Sequence, residues 1–139
     1  MRSATDGSNV MARLNDGDDL LETLKKIAWD HGVNSGCVVF GIGQLKDFEL
    51  GYFDGREYQR RTFAEAHELV GLHGTITLSS DPPMHIHAAI SGRDFVLRGG
   101  HVFKATVATV CEVYILKLPK IQMTREKDGS DGLRKLALG

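Results

Sequence analysis

The segment MHIHAAI (residues 84–90), followed by RGGH (residues 98–101), carries the strongest structural signal in this sequence. Side chains of a β-strand alternate between the two faces of a sheet, so His85 and His87 share one face if residues 84–90 form a strand. The glycines before His101 permit a bulge or a positive φ angle. One sheet can therefore gather three imidazoles around a metal ion.

This pattern predicts a divalent metal site with His85, His87 and His101 as its ligands, and zinc is the first choice of metal. Three neutral imidazoles leave a fourth position for water, a small anion or a side chain of a neighbouring chain. The plainer alternative is that the three histidines are ordinary polar or core residues of their strands. Because three ligands alone do not identify a reaction, the pattern predicts a site before it predicts a chemistry.

The turn between the two histidine segments decides whether the three rings can meet. With a two-residue hairpin loop, His85 would oppose Gly100 and the ring of His101 would point to the other face. A one-residue bulge in the glycine pair, or a three-residue loop, would return that ring to the face of His85 and His87. The metal hypothesis therefore predicts a bulge or an odd-length turn between Gly92 and His101.

Length and composition indicate one globular domain. The chain has 139 residues, of which 42% are hydrophobic and 25% charged, and its formal net charge is −1. No apolar run approaches the roughly 18 residues of a membrane-spanning helix, and the first residues lack the apolar stretch of a signal peptide. We therefore expect a cytoplasmic protein without a membrane partner.

Both cysteines lie in apolar, strand-like runs. Cys37 begins the run CVVF, and Cys111 lies within VCEV. Free Cys behaves as a small apolar residue, so two buried free thiols are predicted in preference to a disulfide. Zinc ligation by Cys111 is a minor alternative, and no CxxC motif supports a zinc ribbon or a thioredoxin-like site.

One amphipathic helix is predicted over residues 17–31. Asp16 is placed as its N-cap, acidic residues follow in the first turn, and Gly32 follows the last helical residue. Its apolar positions form one stripe that packs on a sheet, consisting of Leu20, Leu21, Leu24, Ile27 and Ala28.

The rest of the chain reads as short strands, which predicts an α+β fold with a largely antiparallel sheet. The strands are placed at residues 10–14, 36–42, 48–53, 57–63, 67–72, 75–78, 84–90, 95–97 and 109–118. Asp54-Gly55 indicates a hairpin turn, and residues 104–108 fit either a helical turn or a strand. Residues 1–9 are expected to be a flexible tail, residues 10–139 a single domain, and residues 119–132 a mobile loop.

No catalytic partner accompanies the histidine cluster in the sequence. Glu112 is the nearest candidate carboxylate, but an acidic residue on the solvent-exposed face of a strand is the simpler interpretation. His31, His67 and His73 lie outside the cluster and are interpreted as structural or solvent-facing. A binding module is therefore favoured over an enzyme, and the alternative is a metal-dependent hydrolase or lyase that acts on a small molecule through a zinc-bound water.

The H-x-H motif is also found in the cupins, but this sequence departs from the cupin motifs in two places. The first cupin motif continues with Glu after three or four residues, where this chain has Ser91 and Gly92. The second motif has Asn four places after its His, where this chain has Ala105. A cupin is therefore not predicted.

A different family accounts for most of the motifs between residues 10 and 118. The motifs are NDGDDL (15–20), GIGQL (41–45), GYF (51–53), ELVGLHGTI (68–76), HIH (85–87), GGH (99–101) and CEV (111–113). Their order and spacing resemble the Plants and Prokaryotes Conserved (PPC) domain, in its small stand-alone prokaryotic type. The polar ending with Gly129 and Gly132 is also similar to that of small prokaryotic members.

The resemblance implies properties that composition and periodicity do not provide. These are an antiparallel sheet flanked by helices, assembly as a homotrimer, and a metal held by His85, His87 and His101 near a subunit boundary. Plant relatives carry AT-hook segments whose Arg-Gly-Arg-Pro core enters the DNA minor groove, and this chain has no such core. The expected function is therefore a trimeric binding or assembly module, with a regulatory or DNA-associated role as the weaker option because the net charge is close to zero.

Overall fold

Nine β-strands and one helix make up the computed structural model, which describes residues 1–139. In chain order they are β1 (Arg2–Asp6), β2 (Asn9–Asn15), α1 (Leu20–Asp30), β3 (Ser35–Phe53), β4 (Tyr58–Phe63), β5 (His67–Thr77), β6 (Met84–Ser91), β7 (Leu97–Lys117), β8 (Met123–Lys127) and β9 (Arg134–Leu138). Every strand pairing is antiparallel. The predicted α+β class, with one helix and a largely antiparallel sheet, is confirmed.

The two longest strands close the main sheet on itself. β3 pairs with β5 and β7, β5 pairs with β6, and β6 pairs with β7, so these four strands form a closed circuit. β2 and then β1 extend the sheet beyond β7, and β4 lies against the far end of β3. β8 and β9 form a separate two-stranded hairpin. Closure satisfies backbone groups that the edges of an open sheet would leave unpaired.

The sequence divided β3, β5 and β7 into shorter pieces, and this was wrong. Residues 36–42 and 48–53 belong to one strand, as do residues 67–72 and 75–77, and residues 104–108 are strand. Within β3 the pairing to β7 shifts register after Gly43 and again after Lys46, where Asp47 has a φ of 47°. Such irregularities bend a strand without ending it, because the partner ladder resumes beyond them.

The predicted helix is shorter at its start and is capped by a different aspartate. Asp19 is the N-cap of α1, and its side chain accepts a hydrogen bond from Glu22 N at 2.9 Å. Asp16 instead accepts from the backbone N–H of Thr109 and from Lys46 Nζ. The end is as predicted, since Gly32 has a φ of 64° directly after the C-cap residue His31.

The core lies between α1 and the inner faces of the strands. Helix residues Leu20, Leu24, Ile27 and Ala28 are buried, and Leu21 packs partly against the same cluster. The predicted apolar stripe therefore faces the sheet. α1 has 11 residues, and no helix of the protein is long and apolar enough to cross a membrane.

Strands that were not predicted lie near both ends of the chain. Residues 2–6, interpreted as a flexible tail, form β1, which pairs with β2 across a turn where Gly7 has a φ of 58°. The expected mobile loop over residues 119–132 contains β8, whose backbone is held by Ser35 and Ser80 side chains. The polar composition of these segments predicts neither the pairing of β1 with β2 nor the serine contacts of β8.

The two cysteines are free thiols in different environments. Cys111 is buried, whereas Cys37 is only partly covered. Burial raises the pKa of Cys111 to about 12 and so disfavours its thiolate form, with the nearby Glu112 carboxylate as a smaller cause. Cys111 lies outside the histidine cluster, so the minor prediction of Cys111 as a zinc ligand finds no geometric support.

Candidate metal centre

A regular ladder between β6 and β7 places His101 directly opposite His87. The pairs run without a bulge from His87 and His101 to Ser91 and Leu97, so a five-residue loop joins the strands. The sequence predicted either a turn of odd length or a bulge in the glycine pair. The turn is of odd length, as predicted, but it has five residues and not three. The bulge is absent. Directly opposed residues share a face, and His85 joins them because it lies two residues before His87.

The three imidazoles converge on one point at the outer face of the sheet. One potential ligand nitrogen from each of His85, His87 and His101 lies within 4.8 Å of the others. His85 Nε2 and His87 Nε2 are 3.0 Å apart, and the three ring centroids are separated by 4.9–5.5 Å. Ile86 and Ala88, which alternate with the histidines, are buried on the core side.

The glycines before His101 are needed because three strands approach closely there. A Cβ atom added to Gly99 would lie 2.6 Å from the carbonyl oxygen of Ala88 on β6. One added to Gly100 would lie 2.6 Å from the carbonyl oxygen of Gly51 on β3. Because these glycines have no side chains, β7 can approach both neighbouring strands, and His101 lies beside His87.

The surroundings favour neutral imidazoles. Burial, with smaller contributions from the nearby His85, His87 and Arg60, lowers the pKa of His101 to about 4. The pKa values of His85 and His87 are also lowered, in both cases chiefly by the partial burial of their rings. Neutral imidazole is the form that ligates a metal, so the site needs little proton release at neutral pH.

One atom of the cluster has no partner inside the protein. His101 Nδ1 is buried and makes no hydrogen bond. It is the sole buried side-chain nitrogen or oxygen atom without a hydrogen-bond partner. Buried polar atoms are normally satisfied, so an orphan of this kind points to a missing partner such as an ion or water. Three imidazoles, one of which carries this orphan nitrogen, fit a borderline-soft divalent metal of the zinc type.

Aromatic side chains line one flank of the cluster. The ring centroids of Tyr58 and Phe103 lie 5.0 Å and 4.7 Å from that of His101. Arg60 lies over the ring of Phe103, at 3.6 Å from its centroid, and pairs with Glu49 at 2.9 Å. Tyr58 and Phe103 therefore form an aromatic wall beside His101.

The β8–β9 hairpin lines an open cavity of about 610 Å³ beside the cluster. Its lining residues are Tyr58, Thr75, Pro82, Met84, His85, His101, Arg125, Gly132, Leu133, Arg134, Lys135 and Leu136. A volume of this size is typical of small-molecule sites. Three of the lining side chains are basic and none is acidic.

The structure also places the histidines that sequence analysis kept apart from the site. His31 Nε2 is 2.8 Å from Ser3 Oγ, and His67 Nδ1 is 2.9 Å from the carbonyl oxygen of Glu65. His73 lies opposite His87 on β5, but its Nδ1 atom is 2.8 Å from the carbonyl oxygen of Val39. Their exclusion from the cluster is confirmed. Glu112 is exposed on β7 and is not among the residues of the site.

Sequence analysis missed Tyr58 and Arg125 as neighbours of the cluster. Tyr58 lies on a strand that pairs with β3, and β3 also pairs with β7 at His101. Arg125 belongs to a segment that was interpreted as a mobile loop. Nothing in the local sequence of either residue indicates which distant strand it contacts.

The fold and the cluster together define a class, namely small antiparallel α+β proteins that carry three convergent histidines on a closed sheet. The family model of the Plants and Prokaryotes Conserved (PCC) domain, also abbreviated PPC, matches residues 1–119. The chain belongs to this family, as the resemblance predicted. No curated protein sequence matches it.

Solved structures of similar proteins share the whole fold. A PPC protein from Pyrococcus horikoshii is 26% identical, has a TM-score of 0.81, and is matched over 96% of this chain and 91% of its own. A metal-containing protein from Archaeoglobus fulgidus is 28% identical, with a TM-score of 0.82 over 93% and 92% of the two chains. A candidate DNA-binding protein from Bacteroides thetaiotaomicron has a TM-score of 0.86 over 98% and 96%, and its 21% identity shows likeness of fold alone.

Proposed function

We propose that this chain is a cytoplasmic homotrimeric binding module that holds one zinc ion through His85, His87 and His101 and binds a small ligand beside it. The observation that carries the proposal is the convergence of three imidazoles, one of which, His101, has a buried and unpartnered Nδ1 atom. The metal-containing relative from Archaeoglobus fulgidus supports the same role. Bound zinc would supply a Lewis-acidic centre with one open coordination position.

The cavity beside the cluster supports binding in preference to hydrolysis. A hydrolase or lyase needs a base near the reacting atoms, and no carboxylate lines the cavity. DNA association is also not part of the proposal, because phosphate contacts need clustered basic residues over a long surface. The formal net charge of the chain is −1.

Removal of the metal is the direct test of this function. Zinc added to chelator-treated protein at about a hundred times its dissociation constant should stabilise the fold by about 2.7 kcal/mol. For a domain of this size, that corresponds to a rise of about 10 °C in the melting temperature. Calorimetric titration should give one ion per chain, whereas magnesium at the same concentration should leave the melting temperature unchanged, since Mg²⁺ prefers oxygen ligands. An equal melting temperature with and without zinc would contradict the proposal.

An exposed apolar strip supports assembly of the trimer. Met11, Tyr114 and Phe40 lie side by side on β2, β7 and β3, and Ile42 follows on the same strand as Phe40. Met11, Phe40 and Ile42 are 46%, 37% and 48% exposed. A contiguous apolar patch of this kind is typical of surfaces that are covered by another protein chain.

The trimer makes a simple prediction about mass. Multi-angle light scattering should give three times the chain mass of 15.3 kDa at micromolar concentration. Phe40→Glu should reduce this mass, because a charge in an apolar interface costs several kcal/mol, whereas Trp29→Glu on the exposed face of α1 should not. A wild-type mass of 15.3 kDa across working concentrations would exclude the trimer.

A further inference from the structure

Arg125 is the one charged residue that is buried, with 7% of its surface exposed. It takes part in none of the ion pairs of the molecule. An ionised group that loses water without gaining a counter-charge destabilises the fold, and guanidinium stays protonated in proteins. The folded chain therefore keeps a desolvated positive charge for which it supplies no negative partner.

The hydrogen bonds of Arg125 leave most of its donors free. Its Nε atom donates to Thr77 Oγ1 at 3.3 Å, and its Nη2 atom donates to Thr75 Oγ1. A guanidinium has five N–H donors, so two bonds leave three donors without a protein partner. Two of these donors belong to Nη1, which makes no hydrogen bond, and they are not sealed inside the protein, because His101 Nδ1 is the sole buried side-chain nitrogen or oxygen without a partner.

The position of Arg125 links it to the three-histidine cluster. Thr75, which accepts from Arg125, is directly opposite His85 in the pairing of β5 with β6. Arg125, His85 and His101 line the same cavity of about 610 Å³. Its volume exceeds the space that a single ion or water needs and suits a small organic molecule.

We propose that Arg125 binds the oxyanion group, a carboxylate or a phosphate, of a small ligand that occupies this cavity and extends to the three-histidine site. The planar guanidinium fork matches two oxygens of such a group, and the two threonine hydroxyls hold the fork in place. Arg134, which also lines the cavity, is exposed and adds positive potential that attracts an anion, whereas the charge of Lys135 is paired with Asp131 at 3.2 Å. This inference rests on the proposed function, because it places the ligand beside the bound zinc.

A purely structural role explains Arg125 less well. Neutral donors such as Gln could bond both threonine hydroxyls without bringing a charge into the protein. The backbone N–H of Arg125 is already held by Ser80 Oγ at 3.0 Å, which fixes β8 without the side chain. The charge itself is unexplained until an anion is bound.

The test is a calorimetric titration of the zinc-loaded protein with two probes, inorganic phosphate and succinate. We expect one saturable site per chain for at least one probe, and preference between them identifies the oxyanion. Arg125→Gln should weaken this binding about ten- to a hundredfold, because charge-assisted bonds are lost. The matched control Arg134→Gln removes the same charge from the exposed rim and should weaken binding by no more than about fivefold.

Arg125→Lys is the second variant, since it keeps the buried charge if Arg125→Gln fails to fold. It loses the two-oxygen fork and should bind the probe with an affinity between those of wild type and Arg125→Gln. Circular dichroism and zinc stoichiometry are measured on every sample. Two results would overturn this inference alone, provided that the protein holds one zinc ion per chain. The first is the absence of saturable probe binding, and the second is equal probe affinity in the wild type and both Arg125 variants. Failure of the wild type to hold zinc would overturn the proposed function itself, and with it the placement of the ligand beside the metal.

Discussion

His87→Ala is expected to abolish zinc binding while the protein stays folded. His87 provides the central ring of the cluster, since it faces His101 across the ladder and its Nε2 atom lies 3.0 Å from the Nε2 atom of His85. Its loss leaves two nitrogen donors, and we expect at least a hundredfold weaker affinity, because even outer-shell changes cost ten- to a hundredfold. His87 is exposed, so the alanine leaves no cavity in the core. Competition with a chromophoric chelator measures the change.

The chain offers a matched control at His73. This residue is an exposed histidine directly opposite His87 on the neighbouring strand, but its ring is engaged with the carbonyl oxygen of Val39. His73→Ala should keep one zinc ion per chain. Equal zinc affinity in His87→Ala and His73→Ala would mean that the metal lies elsewhere or is absent.

Gly43→Ala is expected to cause the largest loss of stability among single methyl additions. Gly43 has a φ of 146°, a conformation that side chains rarely adopt, and it lies where β3 shifts register against β7. An added Cβ would collide with the carbonyl oxygen of Val110 and lie 2.8 Å from the Cα atom of Cys111. Backbone strain and overpacking together should lower the free energy of unfolding by about 4 kcal/mol. Urea unfolding measures this difference.

A second glycine separates the two causes. Gly7 also has a positive φ, of 58°, but nothing lies within 4 Å of the position of an added Cβ. Gly7→Ala should therefore cost only the backbone term, about 1 kcal/mol. Gly43→Ala with a loss as small as that of Gly7→Ala would refute the close approach of β3 and β7.

The histidine site could be predicted from sequence because its geometry is mostly local. His85 and His87 share a face through strand alternation, and the odd-length turn required for His101 is the one that the structure contains. The length of that turn was not predictable, because Phe95 adopts a φ of 59° within it although its apolar side chain suggested a strand. The loop is fixed by the pairing on both sides of it.

Other features depend on contacts between distant segments and left no local signal. Closure of the sheet requires β3 to pair with two strands at once, whereas the predicted strands left residues 43–47 outside any strand. Arg125 lies in a polar segment that is ordered by serine side chains from β3 and from the turn after β5. Composition indicates solvent exposure for such a segment, whereas tertiary contacts bury its arginine.

Anomalous X-ray scattering can locate a metal ion held by His85, His87 and His101. Crystals of protein grown in metal-replete medium would be measured above and below the zinc absorption edge. We expect one anomalous peak per chain within about 2.1 Å of a nitrogen of each of the three rings, which is the usual zinc–imidazole distance. A fully occupied peak elsewhere, or no peak at the cluster in zinc-soaked crystals, would contradict the account.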